Sequence, residues 1–401
     1  MKVLQLCHKP PFPPKDGGCI AMHNITEGLL RAGHSVRILT IFTHKHDFEL
    51  DQLPDTYLNA TQIEGVFVDT EINIVDAFSS LITQDSYNIS RFFSPDFDRR
   101  LIQIIQREAF EIIHLESLFM TPYIGTLRRM SPAPIVLRSH NLEYIIWERL
   151  ADGTSNFAKR IYLKYLAKKL KEYEISVVRQ VNGIAAISAS DSARYREITS
   201  EKPTIELPFG IDTAKYPDAS FAGSTPTLFH LGAMDWQPNI EALDWFIARI
   251  WPIVRDAHPS VQFHVAGKGL NTNSTAFQDA RIVVHGEVDS AIDFMRQHSI
   301  MVVPLRSAGG IRVKIIEGMA CGKAIVSTRV GAEGLNLDNN VEIEIADEAE
   351  IFAQAILNLL ETPERITAMG QAARKYALQH FANDAITERL VQFYQKLRAK
   401  S

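Results

Sequence analysis

Short apolar runs alternate along this chain with longer stretches in which apolar positions recur every three or four residues. In the first half "KVLQLC" precedes a helical stretch at 20–32, and "HSVRILTIF", "IIHLES", "APIVLRS" and "GIAAIS" continue the series. The second half repeats it with "TLFHLG", a helical stretch at 239–256, "VQFHVAG", "RIVVHG", "SIMVVPL", a helix over 311–321 and "KAIVST". Alternation of β-like runs with helices predicts βαβ units around parallel sheets, and hence two doubly wound, Rossmann-like α/β domains, 1–205 and 206–382. Between them, "SEKPTIELPFGIDTAKYPDASFAGSTPT" at 200–227 concentrates Pro, Gly, Ser and Thr and reads as the connection. Everything after Pro363 reads as helix.

Length agrees, because 401 residues exceed the size at which one core keeps growing. With 46% hydrophobic and 22% charged residues, each half can build a packed core. A formal net charge of −5 argues against a nucleic-acid surface, so any phosphate site must be local. Cys7, Cys19 and Cys321 form no CxxC pair, and the sequence shows no His-rich ligand cluster; neither a disulfide framework nor a structural zinc is indicated. The start "MKVLQLCHKPPFPP" is too short in apolar residues for a signal peptide, and no run approaches the ~18 of a membrane span. The expected location is the cytoplasm, at most peripheral at the inner face of a membrane.

In open α/β sheets, ligands bind beyond the carboxyl ends of the strands, so two such domains facing each other would frame a cleft. Gly17 and Gly18 follow the first strand and open a helix from about Cys19. Glycine lets a ligand approach the backbone, and a helix N-terminus favours anions, although a turn needing positive φ would use the same residues. Their counterpart is "SAGGIRVKIIEGMACGKAIVST": Gly309 and Gly310, then Arg312 and Lys314 in the first helical turn, then Glu317 among apolar neighbours. Cations there oppose the helix dipole, which points to a bound diphosphate rather than helix stability. A partly buried Glu317 needs hydroxyl or N–H partners, and a ribose diol supplies them. The plainer alternative is a surface helix with solvated charges.

His140 ends the "APIVL" strand, with His114 and Glu116 as weaker cleft-lining candidates and Glu143 read as helical surface. Asp96-Phe97-Asp98 has the form of a metal-binding DxD, but N-capping and first-turn acidity account for it without a metal. The basic helix at 159–174, "KRIYLKYLAKKLKEYE", offers a surface for anionic lipid or simply a solvated face.

Taken in order, "DGGCIAMHNITEGLLRAGHSVRILT", "EIIHLES", "PIVLRSHNLE", "AAISASD", "LPFGIDTAKY", "FHLGAMDWQPNIEAL", "FHVAGKG", "GEVDSAIDFMRQHSIMVVPL" and "GGIRVKIIEGMACGKAIVSTRVGAEGL" resemble the retaining GT-B glycosyltransferases of the family 4 type over nearly the whole chain. The resemblance implies an amino-terminal acceptor domain, a carboxy-terminal donor domain and a terminal helix, 383–401, returning to the amino-terminal domain. It implies a nucleoside diphosphate sugar as donor substrate and a glycan or lipid-linked acceptor, with no cofactor and no metal. Gly17 and Gly18 would lie near the donor phosphates, His140 near the transferred sugar, and Glu317 on the ribose as the second glutamate of an E-x7-E motif. Gly309 stands where the first motif glutamate falls, and Ala233 and Asn239 stand where the family carries its phosphate-binding Arg and Lys. Arg312 and Lys314 are the replacements this chain offers. The activity so implied is glycosyl transfer in cell-surface polysaccharide synthesis, with a nucleotide-sugar epimerase or hydrolase and a non-catalytic binding subunit as rivals. Donor base, sugar, acceptor and oligomeric state are not readable.

Overall fold

The computed structural model of the chain describes residues 1–14, 16–70, 87–154, 156–221, 225–270, 277–307 and 311–400. Two compact units form: Met1–Gly210 together with Ile386–Ser401, and Ile211–Ala385. Each holds one parallel sheet, as the alternating pattern requires.

In the first unit, β1 (Lys2–Cys7), β2 (Ser35–Phe42), β3 (Glu64–Phe67), β4 (Ile112–Glu116), β5 (Ile135–Ser139), β6 (Gly183–Ala186) and β7 (Thr204–Glu206) lie in the order β3-β2-β1-β4-β5-β6-β7. The order reverses direction between β1 and β4, which is where a doubly wound sheet opens its crevice. β1, β4 and β5 are buried almost throughout because helices cover both faces. One face carries helix Gly17–Arg31; Ile386, Leu390, Phe393, Tyr394 and Leu397 of helix Asn383–Arg398 share its apolar cluster. That spacing of three and four residues makes one buried stripe, and it draws the end of the chain onto this unit.

The second unit has β8 (Leu228–Leu231), β9 (Phe263–Ala266), β10 (Ile282–Gly286), β11 (Ile300–Val303), β12 (Ala324–Ser327) and β13 (Glu344–Ile345) in the order β10-β9-β8-β11-β12-β13. Here the reversal falls between β8 and β11. The helix expected over 239–256 is divided into Gln237–Trp245, a π-turn at Phe246–Ile250 and Trp251–Ala257. The helix expected from Pro363 onward breaks at extended Ala382, whose bridge to Ile211 interrupts it.

The pattern of apolar runs missed β3, β7 and β13, all short strands away from the middle of a sheet and only partly buried. β7 lies inside the segment expected to be a connection, since an edge strand of three residues carries no periodicity.

In the second unit helix Pro363–Phe381 packs so closely on the turn before β12 that a Cβ on Gly370 would overlap the Gly322 carbonyl oxygen. Gly370→Ala must push helix from turn, at a cost of about 1–3 kcal/mol. Denaturant unfolding should show a clearly lowered midpoint, and an unchanged midpoint would remove this contact as a constraint.

Candidate functional site

At the reversal point of the first sheet, the parallel register sets Cys7 beside Glu116 and Glu116 beside Arg138. Glu116 is completely buried. A carboxylate taken out of water is costly unless paired and hydrogen-bonded, and donors from three strands meet it. Gln5 Nε2 and His114 Nε2 donate to Oε1 at 3.0 and 3.2 Å, and Arg138 Nη1 and His140 Nε2 donate to Oε2 at 3.2 and 2.8 Å. Burial alone would raise the Glu116 pKa, but the Arg138 guanidinium, then His114 and the hydrogen bond from His140, hold it well below the carboxylate range. The network extends outward. Arg138 reaches the Ala21 carbonyl at 3.2 Å, Thr26 donates to Gln5 Oε1 at 2.8 Å, and the Tyr394 hydroxyl donates to His114 Nδ1 at 2.6 Å.

His140 is therefore oriented rather than loose. Burial lowers its pKa despite the Glu116 bond, so the ring is neutral, with Nε2–H donating and Nδ1 carrying the lone pair. His8, directly after β1, sits edge-on to it at a centroid distance of 5.8 Å. Its Nδ1 lies 3.0 Å from the Glu116 carbonyl, and burial, then His140 and Lys9, hold its pKa down to about 3. His114 and Glu116, expected to line a cleft, are instead fully buried supports of His140. Sequence reasoning missed Arg138, His8 and Tyr394; a charged residue inside the apolar "APIVLRS" was the one available signal.

Gly17 and Gly18 are the first two residues of helix Gly17–Arg31, two positions earlier than expected, and neither has a positive φ. Asp16 caps the helix by accepting from the Cys19 N–H at 2.9 Å and pairs with Lys9 at 2.7 Å. Burial opposes it, but Lys9 and the cap bond bring the Asp16 pKa to about 2. A side chain at Gly18 would meet the Lys9 ammonium, so the glycine makes room for a fixed ion pair at this helix end. Glu143 is not surface: it is half-buried, with its pKa pushed up to about 7 by burial. Glu174, which receives the Tyr195 hydroxyl at 2.6 Å, is buried and pushed up to about 8.

In the second unit, helix Val313–Ala320 starts one residue beyond Arg312, which is its N-cap. Gly309 and Gly310 lie outside the described residues. Arg312 is buried with its guanidinium 5.5 Å from the Trp236 ring centroid. Lys314 turns back to the reversal point between β8 and β11, where its ammonium donates to the Leu231 carbonyl at 3.1 Å and to Asn239 Oδ1 at 3.0 Å. Asn239 is itself held by the Ala233 carbonyl at 2.8 Å. The cation thus ends beside the two positions, Ala233 and Asn239, that carry no charge of their own. Its partners are neutral, so burial, with Arg312 adding repulsion, pushes the Lys314 pKa down to about 7. Glu317 accepts the Tyr216 hydroxyl at 2.8 Å, and burial raises its pKa.

Asp96 and Asp98 occupy the first turn of helix Pro95–Arg107, Asp96 pairing with Arg99 at 3.0 Å. Ser94 makes no side-chain cap. The 159–174 segment belongs to helix Phe157–Val178; Leu163 and Leu170 are buried, whereas Phe157, Ile161 and Tyr162 are exposed. No described helix is long and apolar enough to cross a membrane.

Two family profiles match the chain: "Glycosyltransferase Family 4" over residues 16–215 and "Glycosyl transferases group 1" over 225–362. A relative in Klebsiella pneumoniae, an uncharacterized 44.6 kDa protein in cps region, is 21% identical over 89% of this chain and 90% of its own length. A GDP-mannose-dependent monoacylated alpha-(1-6)-phosphatidylinositol monomannoside mannosyltransferase of Corynebacterium glutamicum is 23% identical over 68% of this chain and 72% of its own. Among solved structures, sucrose-phosphate synthase of Thermosynechococcus elongatus superposes with a TM-score of 0.73 at 16% identity, covering 100% of both chains. Anabaena HepE in complex with UDP superposes at 0.67 and 14% identity, covering 99% of this chain and 100% of its own. At such identities the structural likeness speaks for the fold alone.

Glu116→Gln leaves the Arg138 charge buried without its counter-ion and should cost about 3–5 kcal/mol, as should Arg138→Met, while the double variant loses less than the sum. Urea unfolding followed by circular dichroism measures all three, and a wild-type midpoint in either single variant would take the pair out of the framework.

Proposed function

Because the chain belongs to the family 4, group 1 glycosyltransferases, we propose that it moves a sugar from a nucleoside diphosphate sugar to a hydroxyl of a surface glycan or lipid-linked glycan, with retention and without a metal. The observation that carries this reading is the Lys314 ammonium held by Asn239 and Leu231, a half-buried cation with no ion pair among the described residues, at the carboxyl end of a parallel sheet. A departing diphosphate gains negative charge, and a fixed cation there stabilises the transition state. Arg312 supplies a second charge. Glu317, its Oε1 already holding Tyr216, takes the ribose through its other oxygen. The family resemblance assigns His140, neutral and oriented by Glu116, to a hydroxyl of the transferred sugar, which Nδ1 can bind, and Gly17 and Gly18 to the donor phosphates. The bond from sugar C1 to the diphosphate breaks as the acceptor oxygen attacks the same face, and the acceptor proton passes to a phosphate oxygen. The cps-region relative and the UDP and GDP-mannose ligands in the names of similar proteins support a donor of this class.

Exposed Ile146, Leu150, Phe157, Ile161 and Tyr162 accompany Lys159 and Lys168 on two consecutive helices, Glu143–Asp152 and Phe157–Val178. Apolar side chains beside cations suit the surface of an anionic bilayer, where a lipid-linked acceptor would be met.

Lys314 gives the donor reading a pH test. With a free pKa of about 7, Lys314 is about nine-tenths neutral at pH 8, and a bound diphosphate favours its charged form. Binding at pH 8 should therefore take up close to one proton, and affinity should fall by up to about tenfold per unit above pH 7. Calorimetry with UDP, GDP, ADP and TDP in buffers of different ionisation enthalpy reads this; Lys314→Met should weaken binding and abolish the pH slope. A pH-independent affinity in wild type would sink the assignment of Lys314. For the membrane surface, sedimentation with anionic vesicles should retain wild type and lose Phe157→Ser/Ile161→Ser, whereas equal retention of both would exclude this face.

A further inference from the structure

The second unit assembles three histidines that are far apart in the chain. His264 lies on β9, His285 on β10, and His298 between helix Ala291–Arg296 and β11. β9 and β10 pair in register through Val265 and Val284, then slip so that Ala266 meets Gly286. Gly286 adopts φ +71°, and His285 is left as the extra residue of the bulge. A bulge re-aims the side chain it carries, and here His285 Nε2 comes within 3.0 Å of His264 Nδ1. The His298 ring stacks on His264 at a centroid distance of 4.1 Å. One nitrogen from each of the three lies within 4.8 Å of the others.

We propose that His264, His285 and His298 form a binding site for a divalent transition metal of the zinc class, tying the edge strands β9 and β10 to the segment entering β11. His298 is the independent pointer: only 6% exposed, it keeps Nε2 buried with no hydrogen-bond partner among the described residues, a state that costs free energy unless something ligates it. Its position is fixed from both sides, by the Thr227 hydroxyl 3.3 Å from Nδ1 and by the Lys323 ammonium on its carbonyl at 2.8 Å. The donor set is all imidazole, which suits zinc, copper or nickel and not magnesium or calcium. Neutral imidazole is the form that ligates, so binding releases any proton the rings carry. Zinc–nitrogen bonds of about 2.0–2.1 Å place tetrahedral ligand atoms roughly 3.3 Å apart. The 3.0 Å pair must therefore open slightly and the longer separations close, which side-chain rotation of exposed His285 allows. Phe294, 4.6 Å from His298 and 5.1 Å from His285 between ring centroids, gives the site an apolar wall, and the exposed side leaves a fourth position to water.

The test uses the full chain stripped with EDTA and titrated with Zn2+ against a chromogenic chelator. One equivalent should bind and raise the melting temperature, while Mg2+ does neither. His285→Ala, an exposed position whose loss leaves the fold intact by circular dichroism, should weaken binding at least tenfold, and His140→Ala should leave it unchanged. Co2+ should give tetrahedral visible absorption in wild type and lose it in His298→Gln. Absence of a stoichiometric site, undiminished binding in His285→Ala, or loss of binding in His140→Ala would each overturn the proposal, and none of these readouts depends on glycosyl transfer.

Discussion

The buried carboxylate of Glu116 is the constraint around which the first unit is organised. Once a charge sits at 0% exposure, every lone pair must be answered, and the donors come from β1, β4 and β5 and from the residue just past β5. Because Gln5 and Arg138 also hold helix Gly17–Arg31, and His114 is held by Tyr394 from the last helix, one charge fixes strands, covering helices and chain end together. His140 inherits its orientation and its neutral state from that arrangement.

The second unit handles charge in the opposite way. Lys314 is half-buried with a carbonyl and an amide oxygen as its partners, and Arg312 beside it adds to the positive field. Glu116 is fully compensated and serves as framework, whereas Lys314 is under-compensated and suits an incoming anion. Both stand where their sheet reverses strand order, the place at which backbone from two directions parts and side chains can converge. That contrast is why we propose diphosphate binding for Lys314 and a positioning role for Glu116.

How much of this was legible in the sequence differs by level. Alternating β-like runs and helices determined two parallel α/β sheets, because burial on both faces demands continuous apolar strands and an amphipathic crossover between them. Ordered motifs determined the family, and the same stretches named His140 at a strand end, Lys314 in the first turn of a helix and Glu317 further along it. Short peripheral strands such as β7 escaped, since three half-exposed residues have no pattern to detect.

What tertiary structure alone decided is which polar groups share a space. Nothing in the spacing of Gln5, His114, Arg138 and Tyr394 tells that they surround one carboxylate and its support; parallel register and a returning helix do that. The grouping of three histidines was illegible for the same reason: His264, His285 and His298 are far apart along the chain, and a register slip at Gly286 together with a corner before β11 brings their nitrogens within 4.8 Å. Local sequence sets periodicity through short-range sterics and solvent exposure, while the convergence of charges depends on register and crossover, which only the closed sheet establishes.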